Sequence, residues 1–312
     1  MKIFFFTGKG GVGKSTIAAA AAWQLSQDSR VLIESLDPAH NLGDIFNVTL
    51  TDRKTRFTDN LYLKEVDLQK LSRDYLKREI DVLSGTYRYL QALNLDNYFS
   101  VLKYSPGIEE YALLTSIEDT IRSETEFDYI IFDTPPTGLT LRFLALPKVT
   151  ITWIDRLIQI RKRILEKRYT IQKIRGVENA GIVLSYDEQD DDVLKRLQSL
   201  KYNYVSLSAI LEGRDCTVAL VFNPDILSLR ESQRLIDGLR ELNLPLRLMV
   251  NNKVTDENGK MADEVETIMR DYLKDTTPME RVRFSPSLIE GKERHLFDIS
   301  ENIASKLIEQ CI

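Results

Sequence analysis

Gly8-Lys9-Gly10-Gly11-Val12-Gly13-Lys14-Ser15-Thr16 follows directly on the apolar run Lys2–Thr7 and opens the alanine-rich stretch Ile17–Leu25. This is G-x-x-x-x-G-K-[ST] in a strand, loop, helix context. Glycines let successive backbone N–H groups converge on phosphate oxygens, and the helix N-terminus behind them adds the positive end of its dipole. Lys14 is placed to bridge the β- and γ-phosphates, and the Ser15 hydroxyl to ligate Mg²⁺. A glycine-rich turn without a ligand would not need four glycines and a lysine at these positions. Nucleotide binding by Gly8 through Thr16 is therefore expected.

Working outward, further apolar strand candidates are Val31–Leu36, Tyr129–Asp133, Thr217–Phe222 and Leu246–Val250, with Leu61–Val66 a weaker, alternating candidate nearer an edge. Continuous apolar character, as in Ile130-Ile131-Phe132, is the mark of a strand buried on both faces. Strands alternating with helical patterns predict an α/β fold with a doubly wound, mostly parallel sheet of the P-loop NTPase type. Two helical segments, approximately 68–126 and 150–211, exceed what crossovers require. They predict a helical subdomain inserted into a single discontinuous domain spanning 1–312, since no linker or repeat separates them.

Forty-two basic against 47 acidic residues among 312 give a net charge of −5, which argues against nucleic acid as a partner. The apolar stretches, such as Ala18 to Trp23, fall well short of the roughly 20 residues that span a bilayer. The first residues reach glycine at Gly8, too soon for a secretion signal. A cytoplasmic location is expected. Cys216 and Cys311 are the only cysteines, so a CxxC zinc or redox motif is excluded and two structural thiols are expected.

The early lysine, Lys9, gives the loop the form GKGGVGK[ST], which resembles the deviant Walker A class of ATPases. In that class this lysine reaches the nucleotide of the other subunit. The resemblance thus implies a homodimer sandwiching two ATP molecules, in which a cation supplied in trans neutralises charge developing during phosphoryl transfer. Two more segments narrow the likeness. Asp37-Pro38-Ala39-His40-Asn41 places an acid beyond a strand's carboxyl end, where open α/β sheets put their ligands. That position suits a residue orienting water at the γ-phosphate. Asp133-Thr134-Pro135-Pro136-Thr137-Gly138-Leu139-Thr140-Leu141-Arg142 ends a buried strand, and Asp133 is expected as a Walker B-like carboxylate holding Mg²⁺ through a water molecule. Together these segments resemble switch I and switch II of the arsenite-pump ATPase family, whose relatives include the guided-entry ATPase that targets tail-anchored membrane proteins. Pro106-Gly107-Ile108-Glu109-Glu110, Ile226–Leu235 and Val250-Asn251-Asn252 extend the resemblance over nearly the full length.

The resemblance implies Asp37, Lys9 and Lys14 as the catalytic groups, and His40, Asn41, Asp133, Thr137 and Gly138 as switch residues. It implies Asn251 as the adenine-recognising amide and Pro286, in Ser285-Pro286-Ser287-Leu288, beside the base. Asp225 matches a family acid near the nucleotide across the dimer, although capping the helix that begins near Ser228 is an equal reading. ATP and Mg²⁺ are the implied cofactors. The stretch after Asn251 lacks the CxxC that clips some relatives with zinc, and a thiolate site for arsenite is poorly supplied by two cysteines. Switch II carries Leu139 where relatives often have histidine.

The output has three readings. A homodimeric Mg²⁺-dependent ATPase would target or shield hydrophobic membrane-protein segments, energise an arsenite or antimonite pump in the membrane, or act as a nucleotide switch for assembly of a partner. Scarce soft ligands favour the first. Leu71, Tyr75, Leu76, Ile80 and Leu83 recur at helical spacing, which a packed helix face also explains. All five methionines lie outside Leu68–Asp215, weighing against an adaptable groove. Between Arg156 and Arg175 eight basic residues face Glu166 alone; a solvated face partly neutralised by the acids of Asp187–Asp192 is preferred to membrane contact. Ile299, Ile303, Leu307 and Ile308 are expected to dock on the core.

Overall fold

The computed structural model describes residues 1–39, 41–86, 105–175, 187–274, 276–284, 297 and 299–309. His40, Pro286, the rest of 285–288 and Cys311 lie outside the described residues. The chain divides into two compact units, Met1–Leu144 with Glu212–Ile312, and Ala145–Leu211.

The first unit is built on one eight-stranded sheet: β1 (Lys2–Thr7), β2 (Val31–Ser35), β3 (Thr55–Arg56), β4 (Leu61–Glu65), β5 (Tyr129–Asp133), β6 (Cys216–Phe222), β7 (Leu246–Val254) and β8 (Met279–Arg283). Their spatial order is β3-β4-β2-β5-β1-β6-β7-β8. Every pairing is parallel except the short β3–β4 hairpin at one edge. β1 sits between β5 and β6, with β2 and β4 beyond the one and β7 and β8 beyond the other. The winding therefore reverses beside β1, and a crevice opens outside the carboxyl ends there.

Alternation along β1 divides the two faces. Phe4 and Phe6 pack beneath α1 (Lys14–Leu25), whose Ala18 to Ala22 are all fully buried and admit the helix close to the sheet. Phe5 turns to the opposite face and stacks on Phe132 with ring centroids 4.9 Å apart. Each such ring contributes on the order of 2–3 kcal/mol when taken from water. Beside α1 lies α9 (Ile303–Glu309), which buries Ile303, Ala304 and Leu307 in the same core, with Ile299 and Ile308 packed against it. Gln24 fixes the pairing, donating to the Glu301 carbonyl at 2.8 Å and accepting from the Ala304 amide at 3.1 Å.

On β2, the fully buried Glu34 is satisfied on each oxygen. Ser116 donates at 2.9 Å and Thr120 at 2.7 Å, both from α4 (Ile108–Ser123), and the Lys64 ammonium lies 3.1 Å away. Paired and hydrogen-bonded in this way, a buried carboxylate remains tolerable. Two other helices, α2 (Asn41–Phe46) and α3 (Leu68–Thr86), complete the region before α4. α7 (Ile226–Glu241) and α8 (Gly259–Leu273) accompany β6 and β7. Cys216, on β6, is fully buried.

The second unit is an antiparallel helical hairpin. It comprises the later part of α5 (Thr137–Arg175) and nearly all of α6 (Asp192–Glu212), and its turn carries a short 3-10 segment, Glu188–Asp190. Ile154 and Leu165 are buried from one helix, Leu194, Leu207 and Leu211 from the other. At the turn, Arg161 binds Asp191 with Nε to Oδ1 at 2.9 Å and a second guanidinium nitrogen to Oδ2 at 2.5 Å. Asp191 also accepts from the Leu194 amide at 2.7 Å, capping α6. Lys162 reaches Glu188 at 2.6 Å, so the basic stretch is partly neutralised from within its own unit.

The outer side of this hairpin is unusual. Val149, Trp153, Leu157, Ile160, Ile164, Ile171 and Ile174 are all exposed, Trp153 at 66% and Ile174 at 79%. Steps of three or four residues from Val149 to Ile164, and one of seven to Ile171, keep them on a single helix face as one apolar stripe. Among the described residues, no helix is long and apolar enough to cross a membrane.

Candidate functional site

The carboxyl ends of β2, β5, β1, β6 and β7 converge on the glycine-rich loop. Gly8 adopts φ +152°, Gly11 +82° and Gly13 +93°. A Cβ on Gly8 would overlap the Val221 carbonyl oxygen, and one on Gly13 would overlap the Asn252 amide nitrogen. Gly8 and Gly13 are thus required by both torsion and close approach, and Gly11 by torsion alone. Gly13 precedes α1 and supplies no side-chain cap, so the first amides of that helix are offered to whatever enters the loop. Gly10 and Gly11 are exposed, Lys9 and Thr16 are half-buried, and Val12 anchors the loop in the core.

Lys14, Ser15, Asp37 and Asp133 are buried together behind the loop. The Ser15 hydroxyl hydrogen-bonds the Asp133 carboxyl, and Lys14 and Asp37 lie near enough to act on it. Burial pushes the Asp133 carboxyl up to about 7; the Ser15 hydrogen bond and the Lys14 ammonium pull it back, while Asp37 adds to the rise. Its Oδ2 takes a long hydrogen bond of 3.4 Å from Ser35, and its Oδ1 has no partner. Asp37, one turn beyond β2, accepts from the Ala39 amide at 3.0 Å, which fixes its carboxylate in an Asx turn.

The segment that follows β5 is held at its root. The Thr134 amide and hydroxyl both donate to the Phe6 carbonyl, at 3.1 and 2.9 Å, tying the end of β5 to β1. Thr140 donates to the Pro135 carbonyl at 2.7 Å and lies 3.0 Å from the Thr134 hydroxyl. Thr137 opens α5, and Gly138 stands exposed with open space around it. Beyond β2, Asn41 opens α2 and is exposed, and the next amide, Leu42, donates to Glu65 at 3.1 Å.

Asp225 caps α7, accepting from the Ser228 amide at 2.7 Å, while the Ser228 hydroxyl accepts from the Asn223 amide at 2.9 Å. Asn251 is fully buried on β7 and donates to Glu266 of α8 at 2.8 Å; Arg281 of β8 grips that carboxylate at 2.6 and 2.9 Å. Its other amide atom, Oδ1, has no partner. The residues in direct contact with the loop are the next two. Asn252 donates to the Val12 carbonyl at 2.8 Å, and Lys253 to the Gly11 carbonyl at 2.7 Å. Sequence reasoning stopped at Asn252 and gave neither residue this part. The available signal was a polar triplet, Asn251-Asn252-Lys253, where an apolar strand leaves the sheet beside the crevice.

Among the described residues, six buried side-chain N or O atoms lack a partner, and four of these belong to Thr7, Asp133, Asn223 and Asn251. Those four residues lie within or next to β5, β1, β6 and β7, which are consecutive in the sheet. Unsatisfied buried polar atoms are costly, and their concentration along one edge marks a surface prepared for a polar ligand. A donor-rich nest, two carboxylates, a lysine and a hydroxyl suit a nucleotide triphosphate with a divalent cation.

The model of the anion-transporting ATPase family matches residues 1–279. A putative arsenical pump-driving ATPase 2 of Aquifex aeolicus is 30% identical over 296 residues, covering 90% of this chain and 94% of its own. A second Aquifex protein, putative arsenical pump-driving ATPase 1, is 29% identical over 293 residues, or 88% of this chain and 70% of its own. An ATPase ASNA1 homolog of Paramecium tetraurelia is 28% identical over 279 residues, or 88% and 82%. With its parallel sheet wound about a P-loop and this match over most of its length, the chain belongs to the anion-transporting ATPase family and is an ATPase.

Proposed function

We propose that this chain is a homodimeric, Mg²⁺-dependent ATP switch of the cytoplasm that shields or targets hydrophobic segments of membrane proteins. The observation that carries the reading is the exposed stripe from Val149 to Ile174. Exposed apolar surface of this extent marks an interaction site. Its spacing suits an apolar helix lying alongside. In this reading the chain is one discontinuous ATPase domain with a helical insertion at approximately 68–126 and 150–211, the second part of which faces cargo.

At the reaction centre, the loop amides and Lys14 hold the phosphates while Asp37 orients water in line with the γ-phosphorus. Lys9, half-buried at the loop's rim, is supplied across the dimer to neutralise charge on the phosphoryl oxygens. The donor set fits Mg²⁺: the Ser15 hydroxyl would ligate it, and the free Oδ1 of Asp133 would hold it through a water molecule. When bound, Mg²⁺ would supply positive charge to offset that of the phosphates. Asn41, Thr137 and Gly138 would transmit γ-phosphate loss from the two switches. Asn251 would serve the base, and Asp225 would stand near the dimer face beside the exposed Ile226 and Leu227.

The test uses the Asp37→Asn protein with ATP and a hydrophobic transmembrane peptide, against a charge-interrupted peptide of equal length. Selective capture with ATP supports the reading. Absence of capture with the dimer intact overturns it in favour of pump driving, the activity printed in the names of the Aquifex relatives. That second reading predicts arsenite stimulation of the ATPase that disappears in Cys216→Ser.

A further inference from the structure

We propose that Asn252 and Lys253 are positioning residues for phosphate binding, acting by turning the carbonyls of the glycine-rich loop outward. A trans peptide is planar, with its carbonyl and the following N–H pointing in opposite directions. Lys253 holds the Gly11 carbonyl at 2.7 Å, and Asn252 holds the Val12 carbonyl at 2.8 Å. The N–H groups of Val12 and Gly13 are thereby directed away from β7, into the hollow of the loop. Two adjacent donors aimed at one point make an anion nest only if neither peptide flips, and each tether opposes one flip.

The strand itself is shaped for this task. Lys253 has φ +61°, a torsion lysine rarely adopts. A register shift between β7 and β8 at Asn251 to Val254 accommodates it. Asn258 secures the turn that follows, donating to the Lys253 carbonyl at 2.9 Å and accepting from the Thr255 amide at 2.7 Å. Backbone strain held in place by surrounding bonds is characteristic of sites where position matters. The close approach of Gly13 to Asn252 fits the same arrangement, since any side chain at residue 13 would displace the tethering amide.

This inference rests on the nucleotide reading of the loop, and the experiment separates the two. Calorimetry with Mg²⁺ would compare ATP, ADP and inorganic tripolyphosphate on wild type, Lys253→Met, Lys253→Arg and Asn252→Ala, with thermal melts of each ligand-free protein. Lys253→Met should weaken all three ligands alike, by about tenfold or more for one lost charge-assisted hydrogen bond. Lys253→Arg, which can still donate to Gly11, should recover most of that loss. Asn252→Ala should behave as Lys253→Met does, and the half-buried Lys253 should leave the ligand-free melting temperature nearly unchanged. Loss confined to ATP and ADP, with tripolyphosphate spared, would overturn the inference by placing these residues on the base. Unchanged affinities in both variants, or no recovery by arginine, would also overturn it. Failure of the wild type to bind tripolyphosphate or ATP would instead contradict the nucleotide reading.

Discussion

Gly13 concentrates the physical demands of this loop in one residue. Its φ of +93° is strained for any residue with a Cβ, and an added methyl would meet the Asn252 amide that braces the Val12 carbonyl. Gly13→Ala should therefore destabilise the protein by about 1–3 kcal/mol. It should also weaken nucleotide binding; chemical denaturation and calorimetry on the same sample read both. A stable protein with unaltered affinity would show that the loop tolerates a different path. Asp133 shows the complementary demand. Its carboxyl sits in full burial with an unsatisfied oxygen, an arrangement that only a ligand repays.

Among the elements, the α5–α6 hairpin is pinned by a bidentate polar contact, the Arg161 fork on the buried Asp191. The guanidinium holds the Asp191 carboxyl below its ordinary value of 3.8, with the Leu194 amide reinforcing the shift. A carboxyl depressed in the folded state contributes stability that is complete above its unfolded value and is lost as pH falls through the folded one. The hairpin's stability should therefore decline below about pH 4. Asp191→Asn, which keeps the cap but not the ion pair, should lower stability near neutrality by about 1–3 kcal/mol and flatten that decline. Helix content followed by circular dichroism from pH 6 to pH 3 would check this, and an equally steep decline in the variant would refute the assignment. Elements also differ in how plainly the sequence announces them. Ile130-Ile131-Phe132 is continuously apolar because β5 is buried on both faces, and β1 and β5 fall at the expected residues. β8 is not announced, since Met279-Glu280-Arg281-Val282-Arg283 buries only Val282 at an edge where the other side chains reach solvent. β3 is two residues long and carries no period.

At the scale of the whole molecule, the loop half of the candidate site was legible because its residues are local: loop, hydroxyl and carboxylates lie in short motifs at strand ends. The bracing half was not, because Asn252 and Lys253 meet Gly11 and Val12 across about 240 residues of chain, a relation no local pattern records. The exposed stripe on α5 was equally hidden, since a packed face and a solvent-facing one share the same spacing. The proposed homodimer brings Ile226 and Leu227, 50% and 68% exposed at the start of α7, against a second copy near the phosphates. Replacing both with glutamate should abolish ATP-dependent dimerisation in sedimentation experiments while leaving the ligand-free monomer folded. Dimerisation at wild-type strength would place the interface elsewhere. The most direct test of the central claim is phosphate release by the Asp37→Asn protein measured beside its ATP affinity. The account predicts affinity within about threefold of wild type and turnover reduced by about 10²-fold or more, the scale of losing a group that acts mainly in the transition state. Wild-type turnover in that variant would contradict it.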